Sequence, residues 1–138
     1  MAYQRTIQIE FNHCDPAGIV FYPRYFEMTN SVVENFFAER LEYPFARITM
    51  QEGCGVPTVH IETDFHAPSR LGEKVTFTLA VTKLGRASVN FRITAEKDGE
   101  ARLTAKLTLV WVNQSGKAQS WPEPIRQRLS EHLEGDAP

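Results

Sequence analysis

The chain alternates apolar and polar residues in five separate stretches, with the period of two expected of strands that bury one face. The first stretch covers residues 3–11 and places Ile7, Ile9 and Phe11 on one side. The Asp98-Gly99 pair between the last two stretches predicts a tight hairpin. The other four stretches run over residues 56–66, 73–83, 87–97 and 101–113. The sequence therefore predicts five strands, mostly antiparallel.

Residues 23–40 follow a different period and have no internal proline or glycine. Apolar side chains such as Phe26 and Val33 recur there at helical spacing. We predict one long helix with apolar contacts over much of its circumference, as expected of a helix wrapped by a sheet. Residues 45–52 are expected to form a short helical piece, and residues 122–134 a terminal helix with Ile125, Leu129 and Leu133 four apart.

The order of one strand, one long helix and four strands predicts an α+β fold. Strands this long and regular cannot leave both faces in water, so the helix must lie across the concave face of their twisted sheet. The other face and the sheet edge also need cover, which predicts a dimer or tetramer. We expect one domain over residues 1–138, with a C-terminal extension from about residue 117 and frayed residues 135–138.

Composition and charge exclude several classes of function. The chain has 138 residues, 42% of them hydrophobic, and a net charge of −2. No global field therefore attracts nucleic acid or an anionic membrane. A secretory signal and a membrane-spanning run of about 20 apolar residues are both absent, which predicts a cytoplasmic protein. Cys14 and Cys54 are too few for a disulfide framework and are expected to be reduced.

Candidate chemistry is concentrated in residues 11–26, which read FNHCDPAGIVFYPRYF. Pro16 disfavours a helical backbone at Asp15, Gly18 accepts positive φ, and Pro23 suits the first turn of a helix. A carboxylate is thus expected on a tight loop in front of a helix amino terminus, whose free N–H groups can stabilise an oxyanion. The alternative is that Asp15 is an ordinary turn or cap residue.

The two residues before Asp15 suggest other chemistry that the local geometry disfavours. Neighbouring side chains on extended backbone point to opposite sides, so His13, Cys14 and Asp15 are not expected to form a nucleophile triad or a metal site. We expect Cys14 to be a packing residue. His13 either orients Asp15 or water, or is a hydrogen-bonded structural residue.

The run DPAGIVFYP at residues 15–23, followed by Tyr25, resembles the signature of hotdog-fold thioesterases of the 4-hydroxybenzoyl-CoA thioesterase type. The resemblance covers residues 5–113. It implies a hotdog fold and hydrolysis of an acyl-CoA thioester, with Asp15 as nucleophile or as the base that activates water. The backbone amide of Tyr22, assisted by the Gly18 turn, is the implied oxyanion donor. No metal or cofactor is implied, and a dimer of dimers is the implied assembly.

The same resemblance implies residues that bind the acyl group. The turn at residues 53–59 corresponds to a segment that approaches the acyl group from a neighbouring subunit. Phe45 matches an aromatic that lines the acyl pocket, and an ordinary core position fits it equally well. The implied substrate-binding residues are Phe45, Val56, Pro57, Thr58 and Val59.

The phosphates of coenzyme A call for basic groups. The resemblance implies Lys83, Arg86 and Ser88 in the turn between two long strands, with Arg102 and Lys106 as partial substitutes for further basic residues. The alternative is that these charges are merely solvated.

Aromatic or other small acyl groups are the expected substrates. Two alternatives differ in chemistry: a dehydratase or hydratase acting on acyl thioesters, and a non-catalytic acyl-CoA-binding protein. Dehydration usually relies on a histidine, whereas the long helix offers only Glu27 and Glu34. The sequence leaves open the acyl group, the subunit arrangement, and the choice between an acyl-enzyme anhydride and general-base attack by water.

Overall fold

One antiparallel sheet of five strands forms the frame of the protein. The computed structural model describes residues 2–134, so the expected fraying of residues 135–138 lies outside the described residues. The strand order is β1-β3-β4-β5-β2, which places β1 and β2 at the two edges. The strands are β1 (Tyr3–Gln8), β2 (Thr58–Phe65), β3 (Lys74–Leu84), β4 (Ser88–Lys97) and β5 (Glu100–Val110). The predicted antiparallel five-stranded sheet is confirmed.

The long helix α1 (Arg24–Glu39) packs against this sheet, as predicted. Its buried residues recur every three or four positions, which places them on the sheet side. Phe36 and Phe37 have ring centroids 5.6 and 6.5 Å from that of Phe91 on β4. The helix thus supplies one half of the core and the sheet the other, which is the expected α+β architecture.

The central strands bury the face that the alternation predicts. The inward side chains that are no more than 3% exposed include Val75, Phe77, Leu79, Val81, Val89, Phe91, Ile93, Ala95, Leu103, Ala105, Leu107, Leu109 and Trp111. The opposite face carries polar residues such as Thr78 on β3, Arg92 on β4 and Thr104 on β5. Polar side chains can face water, and the expectation that another subunit covers this outer face stays a prediction.

The first strand is shorter than predicted. It ends at Gln8, and Phe11 lies in a short 3₁₀ turn (Phe11–His13) with 83% of its surface exposed. The imidazole Nδ1 of His13 accepts a hydrogen bond from the Glu10 N–H at 2.8 Å, which closes this turn. The alternation through Phe11 was misleading because a local polar contact ends the strand first.

The segments outside the sheet and α1 are short and helical. A turn with i→i+5 hydrogen bonding covers Arg47–Gln51, within the predicted short helical piece. Helix α2 (Glu123–His132) buries Ile125 and Leu129, whereas Leu133 follows the helix and is 40% exposed. None of the helices in residues 2–134 combines the length and apolarity needed to cross a bilayer.

Two left-handed residues make the hairpin between β4 and β5. Asp98 has φ of 50° and Gly99 has φ of 81°. Positive φ at both central residues is the geometry that an Asp-Gly hairpin requires, so this prediction is confirmed.

Candidate active site

Asp15 lies on a tight loop between β1 and α1. The loop is closed by the Asp15 N–H, which donates to the Ile19 carbonyl at 3.1 Å, and by the Gly18 N–H, which donates to the Asp15 carbonyl at 3.0 Å. Gly18 has φ of 77°, so its predicted role at the turn is confirmed. The fold therefore presents the carboxylate on a loop that its own backbone hydrogen bonds hold in shape.

The Asp15 side chain is half-buried and is held through one oxygen. Its Oδ1 accepts a hydrogen bond from the Ala17 N–H at 2.8 Å. This is the contact of an ordinary Asp turn, so the structural alternative for Asp15 describes part of what the residue does. The second oxygen, Oδ2, has no hydrogen-bond partner within residues 2–134. One oxygen of the carboxylate therefore shapes the loop, and the other is left without a partner among the described residues.

The start of α1 leaves one amide near this loop unused. The N–H groups of Arg24, Tyr25 and Phe26 donate to carbonyls three residues back, at 2.9 to 3.1 Å. Pro23 has no N–H, and the Tyr22 N–H donates no hydrogen bond to the described residues. The Gly18 N–H is already occupied by the Asp15 carbonyl. Tyr22 is therefore the available backbone donor at this helix terminus.

An aromatic wall that the sequence analysis missed stands beside Tyr22. Phe65, the last residue of β2, has its ring centroid 6.0 Å from that of Tyr22 and 5.7 Å from that of Tyr25. Its side chain is 46% exposed. The groove of about 300 Å³ at this wall, here the Tyr22 groove, is lined by Ile19, Val20, Tyr22, Tyr25, Phe65, His66, Ala67 and Pro68. An exposed aromatic at the end of an edge strand is the signal that could have identified it.

The predicted acyl-binding residues lie at the other end of β2. Val56 and Pro57 precede the strand and Thr58 and Val59 begin it, whereas Phe65 ends it beside Tyr22. Eight residues of strand span roughly 23 Å, so within one chain these residues are far from the Asp15 loop. A second groove of about 290 Å³, the Thr58 groove, is lined by Phe26, Thr29, Asn30, Val33, Thr58, Ile61 and Leu107.

Phe45 lies against the core. Its ring centroid is 5.3 Å from that of Phe37, and its side chain is partly buried. Of the two interpretations left open by the sequence, the described contacts correspond to a core position.

The predicted CoA-binding residues Lys83, Arg86 and Ser88 lie at the far end of the sheet from Asp15. Gln8, at the end of β1 that leads to the Asp15 loop, pairs with Lys74 at the beginning of β3. Lys83 is near the opposite end of that strand, and eleven residues of strand span roughly 33 Å. A single chain cannot bring these basic residues to Asp15.

The C-terminal segment packs on this basic turn. Arg86 donates to the Ser120 hydroxyl at 2.9 Å, and the Ser88 carbonyl accepts from the Trp121 indole N–H at 3.1 Å. Arg126, which the sequence analysis did not single out, donates to the Gly85 carbonyl at 3.0 Å. Three basic side chains therefore meet around the turn between β3 and β4, Lys83 and Arg86 from the turn region and Arg126 from α2, and the first two are exposed.

Arg102 is not a substitute for a phosphate-binding residue, because its side chain is only 6% exposed. Its guanidinium forms a bidentate pair with Glu73, at 2.8 Å from Nη1 to Oε1 and 3.3 Å from Nη2 to Oε2. This corrects the expectation from the sequence. The two residues are 29 positions apart, and no local pattern signals their contact.

The Glu73 carboxyl has a strongly lowered pKa. The Arg102 hydrogen bond is the main cause, the Arg70 N–H adds to it, and burial opposes both, which leaves the pKa at about 2 instead of 4.5. A carboxyl whose pKa is lower in the folded state stabilises the fold above the unfolded pKa, and this contribution is lost as the pH falls toward the folded pKa.

We therefore expect acid to weaken the fold through Glu73 between about pH 5 and pH 2. The full shift corresponds to about 3 kcal/mol, which partial exposure of the side chain reduces to about 1–2 kcal/mol. Urea unfolding at pH 6 and pH 3 measures the loss, and Glu73→Gln should show a smaller difference between the two pH values. Glu96→Gln, at an exposed carboxyl on β4, is the control. An unchanged pH dependence in Glu73→Gln would contradict this prediction.

His13 and Cys14 have structural contacts. His13 closes the 3₁₀ turn through Nδ1 and makes no hydrogen bond to Asp15 among the described residues. Cys14 is partly buried against the core and its thiol lies 3.5 Å from the Glu10 carbonyl. Within residues 2–134, no three His, Cys, Asp or Glu side chains are grouped closely enough to hold a metal ion.

An antiparallel sheet packed on one long helix is the architecture of the hotdog class of proteins. Residues 9–129 match the family model of the thioesterase-like superfamily. The match covers most of the chain, and the protein belongs to that superfamily.

Individual proteins in this class are similar to the chain over different lengths. A 4-hydroxybenzoyl-CoA thioesterase from Pseudomonas sp. (strain CBS-3) is 30% identical over 91 residues, which is 64% of this chain and 64% of that protein. The alignment thus spans less than two thirds of either sequence.

Solved structures match over nearly the whole chain at lower identity. A 1,4-dihydroxy-2-naphthoyl-CoA thioesterase from Synechocystis has a TM-score of 0.86 at 17% identity, covering 95% of this chain and 97% of its own. A Staphylococcus aureus protein in complex with CoA has a TM-score of 0.88 at 15% identity, covering 99% and 89%. At these identities the structures establish the shared fold.

Proposed function

We propose that the protein hydrolyses an acyl-CoA thioester with an aromatic or other small acyl group, using Asp15 as the carboxylate catalyst. The observation that carries the proposal is that the loop between β1 and α1 contains both the Asp15 Oδ2 and the Tyr22 N–H, and neither has a hydrogen-bond partner among the described residues. Thioester hydrolysis needs an attacking oxygen and a donor for the developing oxyanion. The Pseudomonas relative, a 4-hydroxybenzoyl-CoA thioesterase, supports the aromatic substrate class.

Two reaction routes use the same groups. In one, an Asp15 oxygen attacks the thioester carbonyl, the C–S bond breaks, CoA leaves as thiolate, and water hydrolyses the resulting anhydride. In the other, Asp15 takes a proton from a water that attacks the carbonyl directly. Both routes place negative charge on the carbonyl oxygen, where the Tyr22 N–H can donate to it. Acid and CoA are the products of either.

The active site requires a second copy of the chain. Edge strand β2 exposes an apolar row in which Val59 is 59%, Ile61 38% and Phe65 46% exposed. An unpaired edge with an apolar row is a surface that another strand can cover. Pairing β2 with its own copy about a two-fold axis runs the strands antiparallel, so the Thr58 end of one chain meets the Phe65 end of the other.

This pairing brings the predicted acyl-binding segment to the catalytic loop. Residues 56–59 of one copy then lie beside the Tyr22 groove of the other, which one chain alone cannot achieve. The basic turn at Lys83, Arg86 and Ser88 reaches the CoA phosphates in the same manner, from a chain other than the one that supplies Asp15. A dimer of dimers offers the additional contacts for such a site. The Staphylococcus aureus protein was solved in complex with CoA, which supports a CoA-bearing substrate for this chain.

Release of free thiol from a panel of aromatic, short and long acyl-CoA esters tests the proposal. We expect turnover with the aromatic and short esters and little with the long ones, because the Tyr22 and Thr58 grooves are each about 300 Å³. Binding of the esters without thiol release would instead indicate a non-catalytic acyl-CoA-binding protein. Hydration of an enoyl thioester without thiol release would indicate a hydratase, and either outcome rejects the proposal.

A further inference from the structure

A buried arginine lies beneath the loop that faces Asp15, and the proposed reaction does not use it. Arg102 is on the outward face of β5, where neighbouring positions such as Lys106 are exposed, yet its own side chain is 6% exposed. Residues 68–73 cover it. A charge is removed from water here although the exposed face of the sheet is close by, and such burial is costly unless the charge is fully paired.

The Arg102 guanidinium is bonded to residues 68–73 at several points. Nη1 donates to the Pro68 carbonyl at 3.1 Å, to the Ser69 hydroxyl at 3.1 Å and to Glu73 at 2.8 Å. Glu73 Oε1 also accepts the Arg70 N–H at 2.7 Å. The Glu100 carboxylate lies 2.7 Å from Nε, outside hydrogen-bond alignment. Arg102 and Glu73 together thus hold the backbone of segment 68–73 at both of its ends.

Segment 68–73 in turn holds the Asp15 loop. The Val20 N–H donates to the Ser69 carbonyl at 2.9 Å, and the Leu71 N–H donates to the Gly18 carbonyl at 3.0 Å. The same segment fastens the end of β1, because the Ile9 N–H donates to the Glu73 carbonyl at 2.7 Å. Hydrogen bonds therefore run from Arg102 through segment 68–73 to both sides of Asp15.

We propose that Arg102 and Glu73 are positioning residues that set the place of the Asp15 carboxylate relative to the Tyr22 N–H, acting through segment 68–73. The inference rests on the proposed function. A buried ion pair adds little net stability compared with apolar residues of similar size, whereas the planar, bidentate contact of arginine restricts geometry. Catalysis is sensitive to that geometry, since a displacement of about 1 Å can cost about 100-fold in rate.

The double variant Arg102→Met/Glu73→Met tests the proposal without leaving one charge buried alone. We expect it to fold, with a melting temperature near that of the wild type, and to show kcat lowered about 10- to 100-fold with KM changed less than about threefold. Hydrogen–deuterium exchange should become faster at the Val20 and Leu71 amides, which carry the bonds between the two loops.

A matched control comes from a second bidentate arginine–glutamate pair. Arg92 donates to Glu134 at 3.1 Å from Nη1 and 2.7 Å from Nη2, away from segment 68–73. The Arg92→Met/Glu134→Met variant should keep the wild-type kcat and the wild-type exchange at Val20 and Leu71. A similar loss of kcat in this control would show a general effect of removing such pairs and would overturn the proposal.

The exchange measurement separates this inference from the proposed function. If the wild type hydrolyses no acyl-CoA ester, the proposed function fails. Independently of activity, unchanged exchange at Val20 and Leu71 in Arg102→Met/Glu73→Met would reject the link between segment 68–73 and the Asp15 loop. If the wild type is active, a double variant that keeps its kcat overturns the positioning role even where exchange is faster. Faster exchange together with a lowered kcat supports it.

Discussion

Asp15→Asn is expected to lower kcat for acyl-CoA hydrolysis by about a thousandfold or more, with the fold and the affinity for acyl-CoA retained. Asn keeps an Oδ1 that can accept the Ala17 N–H, so the hydrogen bond that shapes the loop at 2.8 Å survives the substitution. What is lost is the free carboxylate oxygen, which either reaction route requires. Thiol release measures kcat, and binding of a non-hydrolysable CoA thioether measures affinity.

A second Asp→Asn substitution provides the matched control. Asp98 lies in the exposed hairpin with φ of 50°, a conformation that Asn adopts readily. Asp98→Asn should therefore leave kcat, binding and folding at wild-type values. Near-full turnover by Asp15→Asn would show that the carboxylate is only a turn residue, which is the alternative that the sequence left open.

The sequence predicted the frame of the fold well because the relevant signals are local. Apolar residues at alternate positions bury one face of β3, β4 and β5, and the helical spacing of α1 places its aromatics on the sheet. Phe11 shows where this approach fails. Its position continues the alternation of β1, but the contact between His13 and Glu10 turns the chain before Phe11 can enter the sheet.

The candidate site was predictable only in the part that is contiguous in the chain. Asp15, Gly18 and Tyr22 lie within eight residues, and proline and glycine rules describe their loop. Phe65 contacts Tyr22, and Arg102 contacts Glu73, only because the folded chain brings residues together that are distant in sequence. Such contacts produce no periodic pattern in the sequence. Arg102, which is paired and buried, was therefore predicted to be available for binding phosphate.

The proposed division of the site between two copies of the chain leads to the second large expected effect, which is recovery of activity by mixing two inactive variants. Thr58 lies at the exposed start of β2, in the segment proposed to meet the Tyr22 groove of the other copy, so Thr58→Trp should block the acyl site without unfolding the strand. Asp15→Asn disables the catalytic loop. Each variant alone is expected to be inactive, because every site in its oligomer contains the defect.

Mixed oligomers should regain activity if one copy supplies Asp15 and the other supplies residues 56–59. In an Asp15→Asn and Thr58→Trp pair, one site combines the intact loop of one chain with the intact segment of the other, and the second site carries both defects. Random mixing of equal amounts makes half of the dimers mixed, so about a quarter of all sites are intact. The recovered thiol-release rate should approach about a quarter of the wild-type rate.

The control mixture pairs Asp15→Asn with Asp15→Ala, which cannot assemble an intact site and should stay inactive. Co-expression with two different affinity tags lets the mixed oligomers be isolated before the assay. Absence of recovery in isolated mixed oligomers would place Asp15 and Thr58 in separate sites. Such a result would contradict the antiparallel β2 pairing, because that pairing is what brings the Thr58 end of one chain to the Tyr22 groove of the other.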